Sequence, residues 1–354
     1  MRKQVISLGL LLGLLSATAF ANSYKDDADL IRNTYEPRLY TLSPFKMAHY
    51  GLRMYRQSPD PRFKSALWVD TARVASQLSK AAHELYTDEQ IEAYTKAISE
   101  NYQDTDPDRE VLRRAALKKR PEYVYLAVGL LGAMARADEY GLKHVNDKKL
   151  HEILKRYDFN LYVTDPQMIE AWAGQMANHV YWLKQLGEQD VTEAFSRSFR
   201  ETYPDSKDPQ LNEQQYNNKL YGLTHIIFGA SEYYQFNVKE SDFQWVYDYF
   251  RNNIDTILNR AKEDVIAEIG ITFLLAGMEN DPVVAKIRKH VRDAIDRKEG
   301  MVPSKDGGFE LAYGEHRNVL AIMLLDWQGV NSTVNIQQRP ELFTSLPYGL
   351  VEKD

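Results

Sequence analysis

Four ionisable side chains recur at intervals of roughly 45 residues, each inside an apolar run: His179, His225, Glu268 and His316. The runs superpose as "NH-VYWLKQLG", "TH-IIFGASEYY", "AE-IGITFLLAG" and "EH-RNVLAIMLL", which puts the four residues in one slot. His49 in "MAHYGLRMY" is a candidate for the same slot on an earlier run. Burying such groups is costly unless they are paired or used, so four in register is the pattern of a site. Imidazoles and a carboxylate around one cavity suit general acid–base chemistry. They also suit a divalent metal such as Zn²⁺, with three nitrogens and one oxygen as ligands.

The elements that must position these residues read as helices of two kinds. One kind has a wet and a dry face. "TDEQIEAYTKAISENY" starts at a Thr87/Gln90 capping box, and "SDFQWVYDYFRNNIDTILNR" is predicted to start at a Ser241/Gln244 box. "DPVVAKIRKHVRDAIDRKEG" has an Asp281 cap, Pro282 in the first turn and Gly300 as a stop. The other kind is apolar nearly all round, as in 122–137, 168–187, 218–234, 265–277 and 314–327, with 44–57 a further member. Helices without a polar face are buried on both sides. Their alternation predicts αα-hairpins around a common centre: an all-α (α/α)6 toroid, with apolar helices inside and amphipathic helices outside. A solenoid is the competing arrangement. The links entering the apolar helices are the long ones, so the elaborate loops are expected over one end, where function usually sits.

Composition narrows the chemistry. The chain has no cysteine, so it can form no disulfide, thiol nucleophile or thiolate metal site. Lanthionine cyclisation, which needs cysteine ligands, is excluded with them. The net charge of −6 argues against a nucleic-acid partner. "DREVLRRAALKKR", with Arg109, Arg113, Arg114, Lys118, Lys119 and Arg120, reads as a solvated helix face or a local anion patch. Residues 1–21 read as an export signal, two cations and an apolar stretch ending at Ala19-Phe20-Ala21, with cleavage near Ala21-Asn22. The expected product is a single domain over 22–354, periplasmic or secreted, with no membrane span.

Asn178-His179-Val180-Tyr181-Trp182 resembles the Asn-Asn-His-x-Tyr-Trp signature of toroidal polysaccharide lyases, notably the alginate lyases, although Ala177 stands where the first Asn would be. The resemblance implies β-elimination on a polyuronate. Asn178 would neutralise the uronate carboxylate, and His179 and Tyr221, or else Tyr216, would serve as acid and base. The family's Arg ahead of that Tyr has no counterpart, Lys219 being the nearest cation. As a whole the chain resembles an uncharacterised family of exported bacterial proteins. A lyase would need no cofactor and would bind a carbohydrate polymer or oligosaccharide. Three other readings stay open: a zinc site on His179, His225, Glu268 and His316; glycoside hydrolysis by carboxylates from Asp264, Glu268, Glu310 and Glu315; and a non-catalytic binding or assembly role for the loop face. Tyr157, Phe159, Tyr162, Tyr203 and Phe309, all in loops, are the expected sugar-stacking residues.

Overall fold

The computed structural model describes residues 24–104 and 106–353, so the expected signal over 1–21 lies outside the described residues. The chain is all-α. In order come α1 (24–35), α2 (Pro44–Gln57), α3 (Lys64–Glu84), α4 (Asp88–Glu100), α5 (Pro107–Lys119) and α6 (Gly132–Glu139). They are followed by α7 (Asp147–Lys155), α8 (Asn160–Val163), α9 (Pro166–Gln185), α10 (Thr192–Thr202) and α11 (Glu213–Ala230). The last four are α12 (Gln244–Arg260), α13 (Glu263–Leu275), α14 (Pro282–Asp293) and α15 (Leu311–Leu325). Among the described residues the strands are β1 (Leu142–His144) and β2 (Leu350–Glu352), paired antiparallel with Lys143 opposite Val351.

Caps and apolar patterns explain most boundaries. Thr87 and Gln90 form the expected capping box, and the Asp281 side chain accepts from the Val283 amide at the head of α14. The Ser241/Gln244 box does not form. Residues Glu240–Phe243 make a 3₁₀ turn, and α12 starts at Gln244 with no side-chain cap. The apolar stretch after α5 opens as a π-helix, Val124–Leu131, before continuing as α6.

The helices expected to be dry are buried. Every residue of α13 from Val265 to Leu275 is buried, as are Asn318 to Leu325 in α15. Helix α9 packs on α11, α11 on α13, α13 on α15, and α15 on α2. Glycines let α9 and α11 approach closely. A Cβ at Gly222 would stand 3.2 Å from Cβ of Ala173 on α9, besides running into the Phe199 ring of α10, and one at Gly174 would stand 3.2 Å from Cβ of Tyr221.

Helix α11 ends four residues earlier than its apolar run. Ser231 caps it, donating to the Phe228 carbonyl at 2.9 Å and accepting from the Tyr234 amide at 3.1 Å. The chain then takes three consecutive non-glycine residues through left-handed backbone, Glu232, Tyr233 and Tyr234, with φ of 49°, 54° and 73°. Such a residue costs on the order of 1–2 kcal/mol, so the surroundings must hold this turn in place.

Candidate functional site

Side chains one helical turn apart share a face, and each buried helix uses that rule. Helix α11 puts Tyr221, Thr224 and His225 on one face, α13 adds Asp264 and Glu268, α15 adds Glu315 and His316, α2 adds His49, and α9 adds Asn178. Hydrogen bonds and close ion pairs then connect them.

Glu268 is central. It is 1% exposed, accepts from the Thr224 hydroxyl at 2.7 Å, and lies 3.6 Å from both His225 Nε2 and His316 Nε2. Asp264 accepts from the Tyr221 hydroxyl and lies 3.2 Å from His316 Nδ1. Burial alone would raise the Asp264 value, but the bonds from His316 and Tyr221 and the charges of His316 and Lys262 hold it down at about 2. Burial likewise disfavours the charged form of His316, yet Asp264 and Glu268 outweigh it and raise its value. Asp264 and His316 are therefore an ion pair. Burial pushes Tyr221 well above the usual tyrosine range, and the charges of Asp264 and Glu268 add to it, so Tyr221 keeps its proton.

A second arm runs to α2. His49 Nδ1 is 2.7 Å from Glu315 Oε1, and the His49 and His316 rings are 5.3 Å apart. Burial and the Arg53 charge lower His49 to about 4, so it is a neutral imidazole donating to an ionised Glu315. On the other side, His225 Nδ1 is 2.9 Å from Asn178 Oδ1 and 3.2 Å from the Tyr233 hydroxyl.

Three of these residues, Tyr221, His225 and His316, line a cleft of about 230 Å³ together with Arg109, Arg113, Lys262, Gln175 and Gln214. Gln214 is 8% exposed, and its Oε1 has no protein partner among the described residues. A larger groove of about 950 Å³ adjoins it and shares Asp106, Arg109 and Lys262. The cluster divides between the two: Tyr221, His225 and His316 line the smaller space, and Asp264 lines the larger. The basic run on α5 thus divides its work. Arg113 is bonded to Asp104, Tyr102 and the Ala171 carbonyl, lies over the Trp172 ring, and still lines the cleft with Arg109. Arg114 and Lys119 pair with Glu110 and Asp165.

Of the expected register, His225, Glu268 and His316 come together and His179 does not. His179 Nδ1 bonds the Tyr123 hydroxyl at 2.7 Å, its ring packs between Tyr123 and Trp182, and burial lowers it to about 3. It is a neutral, satisfied core histidine, and Asn178, one residue earlier, takes its place in the cluster. Tyr216 is also away from the cluster, 1% exposed under the Arg260 guanidinium. Among the described residues, no group of three or more His, Asp or Glu side chains is arranged to hold a metal ion. Of the expected hydrolytic carboxylates, Asp264 and Glu268 already accept hydrogen bonds, Glu315 serves His49, and Glu310 precedes α15. Phe159, Tyr162 and Tyr203 are at most 3% exposed and pack in the core, which removes them as sugar platforms, whereas Phe309 is 36% exposed.

The sequence pattern left Thr224 and Tyr233 out of the site. Thr224 had a signal in its place beside His225, one turn after Tyr221. Tyr233 had none, since its position depends on the left-handed turn.

Residues 24–353 match the family described as a domain of unknown function, DUF3541. The chain belongs to that family. The match spans nearly all the described residues, in keeping with the one uncharacterised family that the whole chain resembles. No curated protein and no solved structure matches it.

Proposed function

We propose that this DUF3541 protein is an acid–base enzyme acting on an anionic carbohydrate, with β-elimination from a uronate as its reaction. The observation that carries the reading is the joint lining of one cleft by His225, His316 and Tyr221 on the reactive side and Arg109, Arg113 and Lys262 on the basic side. A carbon acid next to a carboxylate needs its developing charge met by fixed donors, a base for the proton and an acid for the departing oxygen. Tyr221, which keeps its proton, is the acid. His225 is the base, acting through Nε2, which Glu268 would stabilise once protonated. Asn178, which does not line the cleft, holds His225 through its Oδ1, and the substrate carboxylate falls to Arg109, Arg113 and Lys262. His179 takes no direct part.

The scaffold we infer is a closed ring of helical hairpins, an (α/α)6 toroid. Support comes from the order of contacts, in which the last buried helix, α15, returns to the early α2 and so links His49 to Glu315. We also read the chain as exported, on the pattern of residues 1–21. Cell fractionation with sequencing of the mature N-terminus tests that reading.

Elimination leaves a conjugated double bond on the new non-reducing end, which absorbs in the ultraviolet. Purified protein incubated with alginate, pectate and glycosaminoglycans should generate that absorbance on at least one. Silence on all of them, with folded protein, would reject elimination.

A further inference from the structure

The left-handed turn after α11 stands next to the proposed base. Tyr233 is held by three elements at once. Its carbonyl accepts from Arg56 Nη1 at 2.9 Å, its amide donates to the Phe228 carbonyl at 2.8 Å, and its ring stacks on Trp182 at 6.4 Å. Arg56 is in turn fixed by Glu139, 2.7 Å away, with both side chains 2% exposed, and Arg136 bonds the same carboxylate from the other side. The Asn331 amide donates to the Tyr234 carbonyl and ties down the next residue. A buried ion network and a strained backbone both serve to put one phenol oxygen 3.2 Å from His225 Nδ1.

We propose that Tyr233 is the positioning residue of His225: with Asn178 it surrounds Nδ1 with oxygen, keeps the ring proton there, and leaves Nε2 unprotonated. Asn178 Oδ1 accepts only, so Nδ1 carries the hydrogen, and the Tyr233 oxygen is a second acceptor on the same nitrogen. The other titratable groups around the imidazole are Glu268 from α13, Tyr221 on its own helix, and His316 beyond Glu268. Glu268 faces Nε2 at 3.6 Å, where it would meet the proton that the base collects. The arrangement resembles that of other catalytic histidines whose back nitrogen is clamped so that the front one can work. An exposed or loosely held imidazole would divide its time between tautomers. Tyr233 removes that freedom without touching substrate, for it is 8% exposed and does not line the cleft.

The inference rests on His225 being the base, and the test separates the two claims. In full-length ¹⁵N-labelled protein, long-range proton–nitrogen spectra report the tautomer of each of the eight histidines, with His225 assigned from His225→Gln. Wild type should show His225 with its proton on Nδ1. Tyr233→Phe keeps the ring and removes the oxygen, and should move His225 toward a mixture of tautomers. Arg56→Lys keeps the Tyr233 oxygen and a cation beside Glu139 but loses the two-armed grip that joins Glu139 to the Tyr233 carbonyl. It should give a smaller change in the same direction, and it serves if Tyr233→Phe fails to fold. Wild-type His225 protonated on Nε2 instead, or His225 nitrogen shifts identical to wild type in a folded Tyr233→Phe, or failing that in Arg56→Lys, would overturn the proposal. A tautomer change without turnover of any polyuronate would keep the positioning role and reject the elimination reading alone.

Discussion

His225 Nδ1 donates to Asn178 Oδ1 across 2.9 Å, and this bond joins α11 to α9 at the level of the cleft. It is possible because both helices carry glycines on their facing sides. Gly222→Ala would drive a methyl group into the buried Phe199 ring of α10 and crowd Ala173 on α9. Overpacking of this kind costs about 1–3 kcal/mol. The expected result is a lower denaturation midpoint together with a loss of activity larger than an Asn178→Ala change produces alone. Equal stability for Gly222→Ala and wild type in denaturant titrations would show that Phe199 simply moves aside.

Tyr221 and His225 are assigned opposite proton tasks. Tyr221→Phe removes the acid and keeps the ring, so kcat should fall by about 10²–10⁴-fold with little change in KM. His225→Gln should lose a comparable factor. The double variant should be little worse than either single, since the two act in one step. Additive losses, read by initial rates of ultraviolet absorbance, would place them in separate roles.

The His316–Asp264 pair predicts a pH effect with a definite sign. The His316 value is raised in the fold, so its contribution is fully present below 6.5 and is lost as pH rises through the raised value. Asp264, lowered to about 2, contributes above 3.8 and loses that contribution as pH falls toward 2. In Asp264→Asn the His316 midpoint should drop, because its largest favourable partner loses its charge. Titration of its ring proton by NMR measures this directly, and an unchanged midpoint would mean that Glu268 alone sets the value.

His179 carries the opposite sign. Its folded value of about 3 is below that of the unfolded chain, which binds the proton that the core refuses. Stability should therefore decline as pH falls below 6.5, by on the order of 4 kcal/mol by the time pH reaches the folded value. Unfolding free energies measured across that window should show a steeper acid slope for wild type than for His179→Gln. The same variant should retain activity at neutral pH, because His179 faces Tyr123 and Trp182. A collapse of kcat with the fold intact would return His179 to the mechanism.

Much of the helical plan was legible. Apolar runs such as 265–277 and caps such as Thr87 and Asp281 are local signals, and local signals survive folding. The register of ionisable residues was legible to within one position. That margin decides a helix face, because one residue turns a side chain by about 100°. Asn178 and His179 are neighbours in sequence, and one entered the cluster while the other entered the core. The aromatic residues between the helices misled for a related reason: Tyr162 and Tyr203 lie outside the long helices yet fill space beneath the surface. Ser241 and Gln244 have the right types for a cap, but a 3₁₀ turn placed them elsewhere. The left-handed turn at 232–234 was not legible, since tyrosine and glutamate give no local hint of positive φ. The packing of Arg56, Phe228 and Trp182 around it, with the bonds from Ser231 and Asn331, holds that turn.

His49 and Glu315 meet across 266 residues of chain. During synthesis, then, His49 is among the first of the cluster to leave the ribosome and waits for one of the last. Contacts of such long sequence separation are slow to form and leave unpaired surface in the meantime. A nascent chain stopped before α15 would hold Asp264 and Glu268 without His316, and His49 without its carboxylate. Assembly of the His/Asp/Glu cluster is thereby postponed until the chain is almost complete.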